Sequence, residues 1–345
     1  MKKLFFKLLL IILPAGTLVV SFNYLIDPGN IFSSAEYVGG IANILSKGHN
    51  ADNVSNYDER LLQEQMIKRL GRNPDIVVLG SSRIMEAGSD FFPGRHVLNC
   101  GVSHANIFDV IAITGILDSL QRLPSEIYLN ADIGLVSRQA TAEWQSLEAY
   151  YSRFTSRYTT EKNNYNPASL RFKKLYSLVS FGYFRESLSF LIKGASKQYI
   201  DAGTGKPGNY GRYSDGTVAY PESYMQPDTG KIASDAYTTA KQEGLSLPDS
   251  GKILLLNELL DFYAARKVKV HLVLLPYHPG YYAGANSRQD HVFDWYESFY
   301  RRLAADRHIG INGGFNAFAQ QVFIREFYDM FHCSKDAVKR VFFNS

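Results

Sequence analysis

Short apolar runs rich in β-branched residues alternate with helical stretches along this chain, and that alternation predicts an α/β fold with a mostly parallel sheet. Three runs carry the prediction. Asp75-Ile-Val-Val-Leu79 is bounded by Asn73-Pro74 and Gly80, Glu126-Ile-Tyr-Leu-Asn130 follows an amphipathic stretch, and the eight residues Val268 to Leu275 are the clearest of all. Runs without a polar face belong to strands covered on both sides, as in a parallel sheet.

Composition sets the limits. The 345 residues suffice for one large domain or two small ones, and 46% hydrophobic with 20% charged residues describes an ordinary globular chain. The balance of 37 basic to 33 acidic residues leaves a net charge of +4 with no basic stripe, so no nucleic-acid partner is expected. Two cysteines cannot build a disulfide framework or, unaided, a thiolate zinc site. The acidic residues and histidines show no metal-ligand spacing, and no glycine-rich phosphate loop is present, so neither a metal nor a cofactor is expected.

At the amino terminus, Lys2, Lys3 and Lys7 precede an uncharged run from Leu8 to Ile26. About 20 apolar residues span a bilayer, and this run reaches that length. No small-x-small cleavage site follows it, so an uncleaved anchor over residues 1–27 is preferred to a signal peptide. The basic residues before the run place the short terminus in the cytoplasm and the rest of the chain outside, periplasmic or extracellular. Residues 28–55 are small, polar and rich in glycine, which reads as a membrane-proximal linker.

The domain then runs from 56 to 345. Leu61, Leu62, Met66, Ile67 and Leu70 recur at helical spacing, so a helix covers Tyr57 to Leu70 before the first strand at Asp75–Leu79. His96–Asn99 is a second strand ending at Gly101, Ile107 to Leu120 an amphipathic helix, and Glu126–Asn130 the third strand. Ile253 to Ala265 is helical before the strand 268–275, Val292 to Leu303 is helical, and Ser334 caps a last helix through Phe343. Residues 139 to 250 break the alternation. Their first part is helical and aromatic (Tyr150, Tyr151, Tyr176, Phe181, Tyr183), and Ala202 to Ser250 is thick with Gly, Pro, Asp and Ser. They read as an insertion that caps the carboxyl edge of the sheet, where α/β proteins place ligands.

Two short motifs carry chemistry. Gly80-Ser81-Ser82-Arg83 ends the first strand, where a tight turn into a helix lifts a hydroxyl clear of the sheet. Asp329-Met-Phe-His332 lies just before the last helix, where a carboxylate three residues from an imidazole can fix its tautomer and let it take a serine proton. Each alone is a common pattern.

Together they resemble the SGNH (GDSL-type) hydrolase and acyltransferase superfamily, over residues 73–135 and 250–345. The resemblance implies a flavodoxin-like three-layer sandwich with Ser82 as nucleophile and Asp329 and His332 completing a triad. It likens Asn99-Cys100-Gly101 to the family's second block, making the N–H groups of Ser82 and Gly101 oxyanion donors. The third block departs from the family. Gly-x-Asn-Asp is replaced by Leu129-Asn130-Ala131-Asp132, and Asn130 is the candidate substitute donor.

Anchor, linker and Gly-Ser-Ser turn bring the chain nearest to membrane-attached SGNH proteins of cell-envelope polysaccharide pathways. The resemblance implies an O-acyltransferase or carbohydrate esterase that moves an acyl group, expected to be acetyl, to or from an extracytoplasmic polysaccharide. A transferase there would draw on a membrane-bound acyl-donor partner. The reading from another class is a non-catalytic SGNH-fold module that binds glycan or scaffolds a biosynthetic complex. Arg83, His104 and His278 are candidate substrate contacts, each weighed against a structural or solvated role. Cys100 and Cys333 flank two of the site motifs, and either a disulfide or two buried thiols fits that placement.

Overall fold

A computed structural model describes the chain except residues 1, 140–142, 161–174, 195–197, 227, 244–245, 288–290 and 344–345, and except the side chains of 2–9, 11, 242 and 243. Lys2, Lys3, Lys7 and the first residues of the apolar run therefore lie, as side chains, outside the described residues, as do parts of the insertion.

Among the described residues there are nine strands: β1 (Ala51–Asp52), β2 (Ile76–Leu79), β3 (Val97–Asn99), β4 (Glu126–Asn130), β5 (Ile200–Asp201), β6 (Gly211–Arg212), β7 (Val218–Ala219), β8 (Lys269–Leu274) and β9 (Gly310–Gly313). Five form one sheet in the order β3-β2-β4-β8-β9, with every neighbouring pair parallel. Counted within the sheet this is 2-1-3-4-5, a doubly wound order that reverses direction between its first and third strands. β2 and β4 flank that reversal, so a crevice opens where their carboxyl ends diverge.

Alternate residues of the strands feed two cores. Val77, Leu79, Leu98, Ile127, Leu129 and Leu272 face a thick layer built from helices Ser34–Ser46, Glu59–Arg69, Ile107–Ser119, Glu148–Tyr158, Ser250–Ala265 and Val292–Arg307. Ile76, Val78, Val97 and Val273 face the other side, where Phe91, Phe92 and the final helix Lys335–Phe343 close the sheet. The mixed α/β class and the parallel sheet predicted from sequence are present, and seven of the predicted elements differ from the observed ones only at their ends.

Three expectations change. The stretch 28–55 is no plain linker: Val38, Ile41, Ala42 and Leu45 form a buried face of helix Ser34–Ser46, which the surrounding glycines and polar residues hide from a sequence reading. β9, Gly-Ile-Asn-Gly, is an edge strand with only one buried residue and too little apolar signal to be seen. The insertion does not form one cap. Glu148–Tyr158 packs against Ile107–Ser119, and β5, β6 and β7 join β1 in a small antiparallel sheet on the amino-terminal segment. The segment around Tyr220–Met225 and the neighbourhood of Ser246 do reach the carboxyl edge.

Helix Lys2–Ile26 covers the apolar amino-terminal run, with Pro14 inside it. Among the described residues no helix is long and apolar enough to cross a membrane, and the described side chains of this helix begin only at Leu10.

Phe342 anchors the thin face of the sheet. Fully buried, it stacks on Tyr128 of β4 at 5.5 Å and meets Phe91 edge-on at 5.3 Å. Phe342→Ala is expected to lower stability by roughly 3–5 kcal/mol through lost burial and a cavity, read as a lower urea midpoint at unchanged slope. A change under about 1 kcal/mol would show that the last helix is not part of the core.

Candidate active site

β2 runs into Gly80, whose φ of +142° and lack of side chain are both needed, because a Cβ there would lie 2.4 Å from Asn130 Cβ. The chain then enters a single 3-10 turn, Ser82–Ile84. Asn99, at the end of β3, fixes the turn from below. Its Nδ2 donates to the carbonyls of Ile84 and Ala87, each at 2.9 Å.

The two serines of the turn diverge. Ser81 Oγ lies 2.9 Å from both Asn130 Oδ1 and Asp132 Oδ2, inside a buried polar network. Ser82 Oγ points the other way, to His332 Nε2 at 2.8 Å. His332 Nδ1 lies 2.8 Å from Asp329 Oδ2 and 3.0 Å from Oδ1. The backbone N–H groups of Phe331 and His332 donate to Asp329 Oδ1 at 2.7 and 2.8 Å, and the Tyr224 hydroxyl donates to Oδ2 at 2.6 Å. Partial burial pushes the Asp329 carboxyl up, but its bonds to His332, Tyr224 and the Phe331 N–H outweigh this and hold it well below the usual carboxylate range. Burial and the adjacent Asp329 charge raise the Tyr224 phenol, so it remains a donor. A hydroxyl, an imidazole with one nitrogen facing it, and an ionised carboxylate on the other nitrogen form the arrangement that activates a serine.

Arg83 holds the two halves of the site together. Its guanidinium donates to Asp132 Oδ1 at 3.2 Å, to the Phe331 carbonyl at 3.0 Å, and to the carbonyls of Leu275 and Pro276 at 2.6 and 2.8 Å. It also stacks 3.6 Å from the centre of the Tyr277 ring. The turn after β2 is thereby tied to the segment after β8 and to the loop that carries His332.

The site opens into a cleft of about 380 Å³ at the carboxyl edge of the sheet, lined in part by Ser82, His104, Ser137, Gln139, Tyr281 and His332. Among the described residues no cluster of His, Cys, Asp and Glu could hold a metal ion.

The structure thus brings together Ser82, Asp329 and His332, with Arg83 beside them and the exposed His104 on the cleft wall. Four expectations are corrected. The Gly101 N–H donates to Asn99 Oδ1 at 2.8 Å, so it is not available to an oxyanion. Asn130 is buried, its Nδ2 donating to the Val273 carbonyl at 3.2 Å and its Oδ1 facing Ser81. Arg83 is buried and committed to four protein acceptors, so it builds the site instead of reaching substrate. His278 is fully buried, its Nδ1 accepting the Gly280 N–H at the start of a helix and its ring against Phe327. Of the expected oxyanion donors the Ser82 N–H remains, at the first position of the turn, where helical N–H groups lack an internal partner.

The two cysteines are free, and their placement explains why: Cys100 packs into the thick-face core and Cys333 into the thin-face core, on opposite sides of the sheet.

Sequence reasoning passed over Asp132, Tyr277 and Tyr224. Asp132 accepts from Ser81, Arg83, the Tyr277 hydroxyl and the Ile133 N–H, and occupies the position of the displaced third block. Tyr277 adjoins His278 and is the member of that pair on the cleft. Nothing in the local sequence marks Tyr224, which comes from the insertion. No protein-family model and no curated protein matches the chain.

Behind the Ser82 turn, Glu86 is buried, and loss of water pushes its carboxyl up to about 8, against the opposing pull of Lys335. The folded protein therefore keeps a proton there that the unfolded chain has lost, and stability falls as pH rises from about 4.5 to about 8. Glu86→Gln removes this loss. The variant should match wild type in urea unfolding at about pH 4 and exceed it by roughly 2–4 kcal/mol above pH 8. An equal difference at both pH values would contradict the buried acid.

Proposed function

We propose that this protein is an SGNH-type enzyme of the membrane-attached kind, moving an acyl group to or from the hydroxyls of an extracytoplasmic polysaccharide through an acyl-enzyme on Ser82. The observation that carries this reading is the Ser82–His332–Asp329 chain, with both links at 2.8 Å and one end open to a cleft. The strand order 2-1-3-4-5 and the helical cover on both faces support the flavodoxin-like sandwich that such enzymes use.

His332 Nε2 takes the Ser82 proton as the oxygen attacks the acyl carbonyl, and Asp329 stabilises the imidazolium that forms. The Ser82 N–H donates to the oxyanion. His332 then returns the proton to the departing alcohol oxygen, leaving the acyl group on Ser82. In the second half the imidazole deprotonates a glycan hydroxyl, giving transfer, or water, giving hydrolysis. An uncharged cleft wall of Ser137, Gln139 and Tyr281 suits hydroxyl-rich ligands. In this reading Lys2–Ile26 anchors the chain in the cytoplasmic membrane with the domain outside, and transfer draws on a membrane-bound donor partner.

The second reading, a glycan-binding or scaffolding module without activity, is favoured by one observation: the Gly101 and Asn130 donors are turned to other partners. Removing one oxyanion donor raises a barrier by about 3–4 kcal/mol, so a depleted set implies a slow enzyme.

Full-length protein in detergent should release acetate from an activated aryl ester, and Ser82→Ala should abolish the release. Equal hydrolysis by both would reject the nucleophile. In cells, Ser82→Ala that lowers polysaccharide acylation indicates transfer, a rise indicates removal, and no change supports the scaffold.

Tyr224→Phe removes one hydrogen bond to a charged carboxylate and should lower kcat about tenfold with KM unchanged. An unaltered kcat would show that Tyr224 does not hold the acid–imidazole pair.

A further inference from the structure

We propose that helix Phe181–Ile192 is a second membrane-contacting element, lying in the headgroup layer of a lipid bilayer beside helix Lys2–Ile26. The inference rests on the proposal that the protein is held at a membrane.

The two helices form one unit. Asn23 is fully buried in the packed structure, and its Nδ2 reaches the carbonyls of Ser177, Leu178 and Ser180 at 3.2, 2.9 and 3.1 Å. Phe22 and Phe184 pack with ring centres 4.9 Å apart. The Tyr183 hydroxyl donates to Asp27 Oδ1 at 2.7 Å and accepts the Gly29 N–H at 3.1 Å. The docking point, Phe22–Asn23, lies about 6 Å from the carboxyl end of the first helix at 1.5 Å per residue. An interfacial helix sits about 5–10 Å into the boundary between headgroups and acyl chains. Where Ile26 emerges from a bilayer, the docked helix is therefore held at that boundary.

Its side chains suit the position. Phe181, Phe184, Leu188, Leu191 and Ile192 recur three, four, three and one residues apart, which places them on one stripe. Phe181 and Ile192 are 68% and 78% exposed, so the stripe is not core. Tyr183 and Ser187 face inward and are buried, while Arg185 and Glu186 form an exposed charged flank. An inward face, an apolar outward stripe and a charged flank make an amphipathic helix whose apolar side the described chain covers only where Phe184 meets Phe22. On the first helix Leu10, Ile12, Leu13, Leu18 and Leu25 are exposed as well. Tyr24 and Tyr176 are also exposed, and tyrosine is the residue enriched at the headgroup level. Exposed apolar side chains on both of two helices that dock on each other, one of them the anchor of the proposed function, fit lipid better than a second protein.

The test uses full-length protein in phosphatidylethanolamine–phosphatidylglycerol vesicles carrying bromines either near the headgroup or near the chain ends. Leu188→Trp probes the stripe, Ile192→Trp is a second probe of it, and Leu18→Trp probes the first helix. Each is read as the difference from parent protein with its own two tryptophans. The expected result is that the stripe probes lose about half their added emission to shallow bromines and little to deep ones, with the reverse for Leu18→Trp. Stripe probes untouched by either bromine while Leu18→Trp is quenched would overturn the inference and leave the anchor standing. All probes untouched would overturn both. Quenching of the stripe alone would uphold the interfacial helix and remove the spanning anchor.

Discussion

One imidazole connects the two ends of this protein's domain. His332 meets a hydroxyl 250 residues earlier in the chain, and the rest of the carboxyl edge is arranged so that it can. The ring is held by Asp329 from its own loop, but that loop would be free to move away were it not tied to the sheet. Arg83 supplies the tie, since a single buried guanidinium donates to the turn's neighbour Asp132, to the segment after β8 and to the backbone of the His332 loop. A planar group with five donors can serve four acceptors at once, one more than the three N–H bonds of a lysine allow. Asp132 supplies the opposite charge, and losing it would leave the buried guanidinium uncompensated.

The adjacent serines show how backbone geometry divides labour. Gly80 adopts a conformation that side chains disfavour and sits where a Cβ would meet Asn130, and the two hydroxyls that follow it find different partners. Ser81 enters the buried network with Asn130 and Asp132, and Ser82 faces the cleft. The same network explains why Asn130 is withdrawn from oxyanion duty: its two side-chain atoms hold β4, the turn after β2 and β8 in register. Gly101 and Asn130, which the sequence offers as oxyanion donors, are framework here.

Much of this was legible in the sequence, for identifiable reasons. Ile76–Leu79, Glu126–Asn130 and Lys269–Leu274 are covered on both faces or nearly so, and such strands announce themselves as apolar runs. The Ser82 turn and the Asp329–His332 pair were legible because each is a local motif. What a local motif cannot report is which partner a side chain finds across the fold. Arg83 and His278 sit next to the right residues in sequence and yet are buried, while Tyr224 arrives from an insertion with no pattern of its own. Helix Ser34–Ser46 was hidden because glycines dilute its apolar face, and β9 because an edge strand buries little.

The central claim is that Ser82, and not Ser81, is the nucleophile made reactive by His332. A fluorophosphonate reacts only with an activated serine, so treatment of full-length protein followed by peptide mass spectrometry reads the claim directly. The adduct should form on Ser82, and His332→Ala should abolish it. An adduct on Ser81, or one on Ser82 that survives loss of the imidazole, would contradict the account.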